Sequence, residues 1–304
     1  MNLFDHEKID FEVEKFSLYE SAPKNFSLAL PVMRSLPKDI GVGLRRKDNG
    51  KPLAIVSDRY EPVQYLDVTT GLEEAIKQSG IDLTDANFQS AIYGDGEQME
   101  LTARFPAHAT TIDDKNDVII PEFKFRTSHN RTWANSGMMG YFRFSCYNTL
   151  VNGNKLAYIY GRHGKNFSVP SFAAKIKNAA EFISGDGLNE MKVWYNSEVD
   201  RSDVIKLFSS TLARRFDNVS RGAVPNKVML SNLMKVFDEE TRHLEGRGKY
   251  EAYGTRTKGN LWTAYQAATN WSTHFNGKNR TRPIREEKVR KMLASPHWNE
   301  LVAA

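Results

Sequence analysis

The 304-residue sequence predicts an α+β fold, with an antiparallel sheet of hairpins and one helix first and a helical half after it. Three observations carry this. Two turn dipeptides, Asn49-Gly50 and Asp95-Gly96, each sit between short runs that alternate apolar and polar residues, the pattern of a two-residue hairpin turn. After Val169-Pro170 the apolar period lengthens from two residues to between three and four, which marks amphipathic helices. No apolar run reaches the ~18 residues of a membrane helix.

In chain order, residues 1–38 form an N-terminal arm, 39–165 a β-rich core domain and 166–304 a helical region with a basic end. "VGLRR" and "PLAIV" flank the first turn; "FQSAIY" and "QMELTARF" flank the second. Between them "YLDVTTGLEEAIKQSG" reads as a helix ended by Gly80. Further strands are predicted over Val118–Thr127, Met138–Tyr147 and Leu156–Tyr160. Five helical segments follow: "SFAAKIKNAAEFISG" ending at Gly185, "SDVIKLFSSTLARRF" with Ser202 as N-cap, "PNKVMLSNLMKVFDEETRHLEG", "NLWTAYQAATNWSTHF" and "PIREEKVRKMLASPHWNEL".

Charge is uneven. The net charge is +5, yet Arg242 to Lys291 holds twelve Lys/Arg and four acids, a local +8. Such a block attracts polyanions. The bland alternative is a solvated helix face.

The period of two assigns the strand faces. In "YFRFSCY", Phe142, Phe144 and Cys146 face one way and Tyr141, Arg143, Ser145 and Tyr147 the other. Cys146 then reads as a small buried hydrophobe. Applied to "EFKFRTS" and "MELTARF", the same rule puts Lys124, Arg126 and Arg104 on the outer face. Cations mixed with rings suit single-stranded nucleic acid, the cations for phosphates and the rings for bases. An ordinary wet sheet face is the alternative. The loop "RTSHNRTWANSG" adds His129, Arg131 and an exposed-looking Trp133. Arg162 supplies another phosphate contact. Arg280, Arg282, Arg285, Lys288 and Arg290 form a second basic wall. "TIDDKND" reads as a solvated hairpin tip and not as a calcium loop.

One cysteine forms no internal disulfide, and the acidic start lacks a signal-peptide core. A reducing cytoplasm is the expected location. No metal site is expected, since paired ligand spacing is absent, and no cofactor either.

"SDRYEPVQY" (Ser57–Tyr65), "TSHNRTW" (Thr127–Trp133), "FRFSCYNTLVNGN" (Phe142–Asn154) and "LWTAYQAATNWSTH" (Leu261–His274) occur in that order. Together they resemble the phage/plasmid-like family called domain of unknown function 932, over roughly Asp39 to Lys291. In that family the histidine loop usually continues Ser-His-Asp-Gly; here Asn130-Arg131 follows Ser128-His129. Cys146 and Asn148 fall in the family's Cys-x-Asn segment, with Asn148 a turn former or polar contact. The resemblance implies a mobile-element gene in a bacterial host. By analogy with single-strand annealing proteins it points to DNA binding in recombination, no covalent chemistry, and a homo-oligomeric ring or filament. Two alternatives stand beside it: an anti-defence protein that binds a host protein partner, and a hydrolase or nuclease using His129.

Overall fold

The computed structural model describes residues 2–18, 42–112, 118–150, 158–161, 174, 178–179, 182–217, 222–244, 257–275 and 281–304. The chain divides into two units, one of 1–105, 123–138 and 158–179, the other of 106–122, 139–157 and 180–304.

The first unit begins with β1 (Val13–Phe16), β2 (Val42–Arg46) and β3 (Pro52–Val56), a three-stranded antiparallel sheet. The β2–β3 hairpin turns through Gly50 at φ +69°, the left-handed backbone that the Asn-Gly dipeptide favours. Helix α1 (Tyr65–Gln78) buries Tyr65, Val68, Thr69, Leu72, Ala75 and Ile76. That spacing is one helical stripe, so the apolar face sets the helix down on the core. Gly80, at φ +78°, ends it as the sequence predicts. Strands β4 (Asn87–Tyr93) and β5 (Gln98–Arg104) pair antiparallel with Asn87 opposite Arg104. The second hairpin is therefore where the Asp95-Gly96 dipeptide puts it.

Then come β6 (Thr110–Thr111), β7 (Val118–Ser128), β8 (Asn135–Arg143), β9 (Asn148–Leu150) and β10 (Tyr158–Gly161). In the first unit the strand order is β10-β8-β7-β5-β4. In the second, β6 pairs with the start of β7, and β9 pairs with the end of β8.

The second unit is mainly helical: α2 (Leu188–Asn196), β11 (Glu198–Asp200), α3 (Arg201–Ser210), β12 (Arg214–Asp217), β13 (Gly222–Pro225), α4 (Lys227–Leu244), β14 (Lys258–Asn260), α5 (Leu261–His274), α6 (Arg282–Leu293) and α7 (Pro296–Ala303). Helix α5 is central. Eleven of its residues are buried, which leaves almost no solvent stripe. It packs against α2, α4, α6 and β9. Its start is a capping box in which Asn260 Oδ1 accepts from Thr263 N at 2.9 Å. The residue before, Gly259, is required by close packing: a Cβ there would lie 2.5 Å from Phe237 Cζ.

Four local expectations are corrected. The β8 strand stops at Arg143, not Tyr147, because the chain turns and returns as β9. Gly185 does not end a helix; a π-helical turn over Ile183–Gly187 runs on into α2. The α3 cap position is Asp200, not Ser202, and the segment after Ser210 leaves the helix for strand β12. The last basic segment is two helices, split where Ser295 caps α7 ahead of Pro296. The Phe172–Ile176 stripe, the Asp113–Asp117 tip, Arg162, Arg280 and most of "GRGKYEAYGTRTKGN" lie outside the described residues.

Candidate nucleic-acid interface

The turn between β8 and β9 gathers more of the predicted residues than any other described place. Register pairs Arg143 with Asn148, so Phe144, Ser145, Cys146 and Tyr147 make the turn. Tyr147 adopts φ +57°, a conformation that costs a non-glycine residue of order 1 kcal/mol or more. The turn holds two rings in water: Phe144 is 59% exposed and Tyr147 62%. Their centroids lie 6.1 Å apart at 34°, and Phe142 meets Tyr147 edge-on at 5.7 Å. Exposed rings fixed in this way are uncommon, since burying one such side chain gains roughly 1.5–3 kcal/mol.

Beneath the turn lies a chain of buried polar groups. Arg143 is 1% exposed. Its Nη1 donates to Glu240 Oε2 at 2.7 Å and to Gln266 Oε1 at 3.2 Å. Two hydrogens serve those two acceptors, so Cys146 Sγ at 3.6 Å is only a polar neighbour. Asn148 Nδ2 also donates to Gln266 Oε1, at 3.2 Å. This fixes both amides: a flip of Gln266 would set its Nε2 against two donors, and a flip of Asn148 would set its oxygen against Gln266 Oε1, acceptor against acceptor. Gln266 Nε2 is buried with no hydrogen-bond partner. The free face of Asn148 is thus Oδ1, which lies 3.0 Å from His274 Nε2.

Helix α6 braces the other side. Arg282 donates from Nε to Glu286 Oε1 at 2.9 Å and from Nη2 to Thr149 Oγ1. Thr149 Oγ1 donates in turn to Glu122 Oε1 at 3.1 Å. Arg285 bonds the Ser272 carbonyl at 2.9 Å; burial and the neighbouring Arg282 lower its pKa. Arg290 makes two 2.7 Å bonds to Glu287. Lys288 is exposed.

Cys146 is half-buried in the turn and does not share a core face with Phe144. Burial pushes its thiol pKa up, against a smaller downward pull from Arg143. A protonated thiol is a poor nucleophile. The expectation that Cys146 is a small buried hydrophobe is thus corrected: the turn leaves it half-buried, outside the core.

The predicted outer sheet face is corrected more heavily. Lys124 is 3% exposed, Arg126 6%, Arg143 1% and Tyr141 1%. Arg126 Nε bonds Glu100 Oε2 at 2.5 Å. Alternation separates two faces of a strand without telling whether the second face is covered. Here β7 is buried on both faces along nearly its whole length. Arg104 keeps intermediate exposure.

In the first unit the histidine loop closes on itself. Ser128 Oγ accepts from Trp133 N at 2.9 Å and donates to its carbonyl at 2.8 Å. Trp133 is 6% exposed, not at the surface, and meets Tyr93 edge-on at 5.7 Å. His129 is 1% exposed and stacks on Tyr65 at 4.1 Å. Arg131, at φ +63°, is exposed, as is Thr132 beside it.

The structure thus joins Tyr147, Asn148, Arg143 and Arg282 at one place, and puts His129, Arg131 and Trp133 elsewhere in the chain's other unit. It adds Glu240, Gln266 and His274, which the sequence reading did not single out. For two of them the signal was present: Gln266 and His274 lie in one resemblance segment and Asn148 in another, whereas Glu240 lies in none. Pairing those segments in space is what the sequence could not do.

A mixed sheet-and-helix protein with a polar-based aromatic turn is the class these features define. The chain belongs to the family described as Domain of unknown function (DUF932), whose model matches residues 52–295. No curated protein and no solved structure matches the chain. Among the described residues no helix is long and apolar enough to cross a membrane, and no group of three His, Cys, Asp or Glu is placed to hold a metal.

Proposed function

We propose that this chain binds single-stranded nucleic acid, with the β8–β9 turn as its stacking platform, and acts in strand pairing or protection during recombination of a mobile element. The observation that carries the reading is the pair of exposed rings, Phe144 and Tyr147, held by strained backbone over a buried polar base. Rings in this state accept any base through its π-face, at roughly 1–3 kcal/mol per base. A sequence pI near 9.1 favours a polyanion. The contact set is smaller than the sequence suggests. Arg126, Arg143, Arg282 and Arg290 are already matched to carboxylates. Lys288, Lys291 (loosely paired with Glu287 at 3.7 Å) and the rings remain at the surface.

Fluorescence anisotropy of a labelled single-stranded oligonucleotide, titrated with the full chain at several salt concentrations, tests this. Binding should weaken with salt, each phosphate contact adding ~0.7 to the log–log slope. Absence of binding at micromolar protein and low salt would overturn it.

A second reading has its own observation. Ile284 on α6 is 60% exposed and Phe144 59%. Exposed apolar groups of this kind also suit a protein partner, as an anti-defence role requires. A host protein that stays bound after nuclease treatment would favour that reading.

A further inference from the structure

His274 stands at the end of the polar chain and at the edge of the ring platform. Its Nε2 faces two acceptors, Asn148 Oδ1 at 3.0 Å and the Cys146 carbonyl at 3.2 Å. Nε2 must therefore carry a hydrogen, which leaves the lone pair of the neutral ring on Nδ1. Nothing upstream is free to change this assignment. Asn148 is held by Gln266, and Gln266 by Arg143. The ring is half-exposed, beside a turn whose other members are the exposed Phe144 and Tyr147.

Building on the nucleic-acid reading, we propose that His274 is a proton-linked phosphate contact: on binding, Nδ1 takes up a proton and donates it to a phosphate oxygen next to the stacked bases. A polynucleotide whose bases rest on Phe144 and Tyr147 carries a phosphate within one nucleotide of them. The only change needed at His274 is protonation of Nδ1, since Nε2 already donates and continues to do so. The second proton thus arrives without any rearrangement of the network.

The charges around the ring set the direction. From the β8–β9 side come Arg143 and the uncharged Cys146 thiol. From α4 comes Glu240, bonded to Arg143. From α6 come Arg282, Arg285 and Glu286, and through Thr149 the chain reaches Glu122. Burial lowers the pKa of His274, the Cys146 carbonyl raises it, and Arg282 lowers it, with a net downward shift. The free protein thus holds the ring neutral at pH 7, below the ordinary value of about 6.5. A bound phosphate favours the charged form and raises the pKa. The complex binds more protons than the free protein, so affinity must rise as pH falls, by at most about tenfold per pH unit for one proton.

Oligonucleotide affinity is measured from pH 5 to 8 at fixed ionic strength for wild type and His274→Gln, which keeps an N–H for Asn148 but does not titrate. Wild type should bind more tightly as pH falls, and the variant should lose that part of the profile. An unchanged profile in His274→Gln would overturn the assignment. A second measurement is independent of nucleic acid: ¹⁵N-detected titration of the His274 ring with inorganic phosphate or with chloride at equal ionic strength. The neutral ring should carry its hydrogen on Nε2, and phosphate should raise its titration midpoint. A hydrogen on Nδ1, or equal midpoints, would reject the contact. If no oligonucleotide binds at any pH, the platform reading fails, and the phosphate titration still decides for His274.

Discussion

Two loops in this chain carry an aromatic residue between polar neighbours, and they come to opposite ends. The Ser128–Trp133 loop satisfies its polar groups within itself and on the start of β5 beside it. Ser128 brackets Trp133, Gln98 Nε2 donates to Thr132 at 2.6 Å, and Asn130 Nδ2 donates to Glu97 at 2.9 Å. Its ring goes into the core. The Phe144–Tyr147 turn satisfies its base instead and leaves its rings outside. The difference teaches that an aromatic in a polar loop is not in itself a contact residue. What matters is where the loop's own hydrogen bonds end. Bonds that close within the loop and on the neighbouring strand leave the ring inside; bonds that run from the turn into the helices leave its rings outside.

The comparison is sharpened most by truncating each ring. Trp133→Ala should cost about 3–5 kcal/mol of stability, as for large aromatic side chains removed from a core, measured by urea denaturation. It should leave nucleic-acid affinity unchanged where the protein is still folded. Tyr147→Ala should do the reverse: little loss of stability, with affinity down by about 1–3 kcal/mol. Tyr147→Gly separates strain from stacking. Glycine takes φ +57° without cost, so this variant should be no less stable than Tyr147→Ala while binding as weakly. If Trp133 and Tyr147 prove interchangeable in either assay, the contrast between the loops is wrong.

Next in size is the base of the turn. Arg143→Ala leaves Glu240 without its cation and Gln266 Oε1 with one donor fewer. Removing one member of a buried ion pair costs about 3–5 kcal/mol. Arg143 is 1% exposed and the Glu240 side chain 13%, so solvent screening offers little relief. Replacing both, as Arg143→Met with Glu240→Leu, should recover most of that loss, because the uncompensated charge goes with its partner. The double variant also loses a donor to Gln266 Oε1, so it should bind nucleic acid less well even when stable.

Most of the architecture was legible in the sequence. Asn49-Gly50 and Asp95-Gly96 placed both hairpins, and Gly80 ended α1, because positive φ is a local demand that few residues meet. Faces were less legible. Lys124 and Arg126 alternate with Phe123 and Phe125 as on any half-wet strand, yet Glu100 and further packing bury them. A cation's partner on another strand leaves no trace in its own neighbourhood. The site was partly legible: the sequence points to Tyr147 and Arg143 on one strand face, to Asn148 as a turn former or polar contact and to Arg282 in a second basic wall, without bringing them together. Gln266 and His274, 118 and 126 residues from Asn148, required the packing of α5 on β9 to be seen. The strand end at Arg143 was hidden because "YFRFSCY" keeps its alternation through a turn held by Tyr147 in the left-handed region.

The smallest expected effect tests the cations that the structure leaves at the surface. Arg290 and Lys288 sit two residues apart on α6, and the sequence assigns them the same role. Arg290 is bonded twice to Glu287 and is 22% exposed, whereas Lys288 is exposed. A surface pair such as Arg290–Glu287 contributes about 0–1 kcal/mol to stability, but it must be broken or shared before Arg290 can meet a phosphate. Lys288→Ala should therefore lower the salt dependence of binding by about 0.7 in log–log slope, one phosphate contact. Arg290→Ala should lower it by less, since an arginine already neutralised by Glu287 releases fewer counterions on meeting a phosphate. Equal slopes for the two variants would mean that carboxylate pairing does not decide which cations reach the ligand, and the sequence's undivided basic wall would be restored.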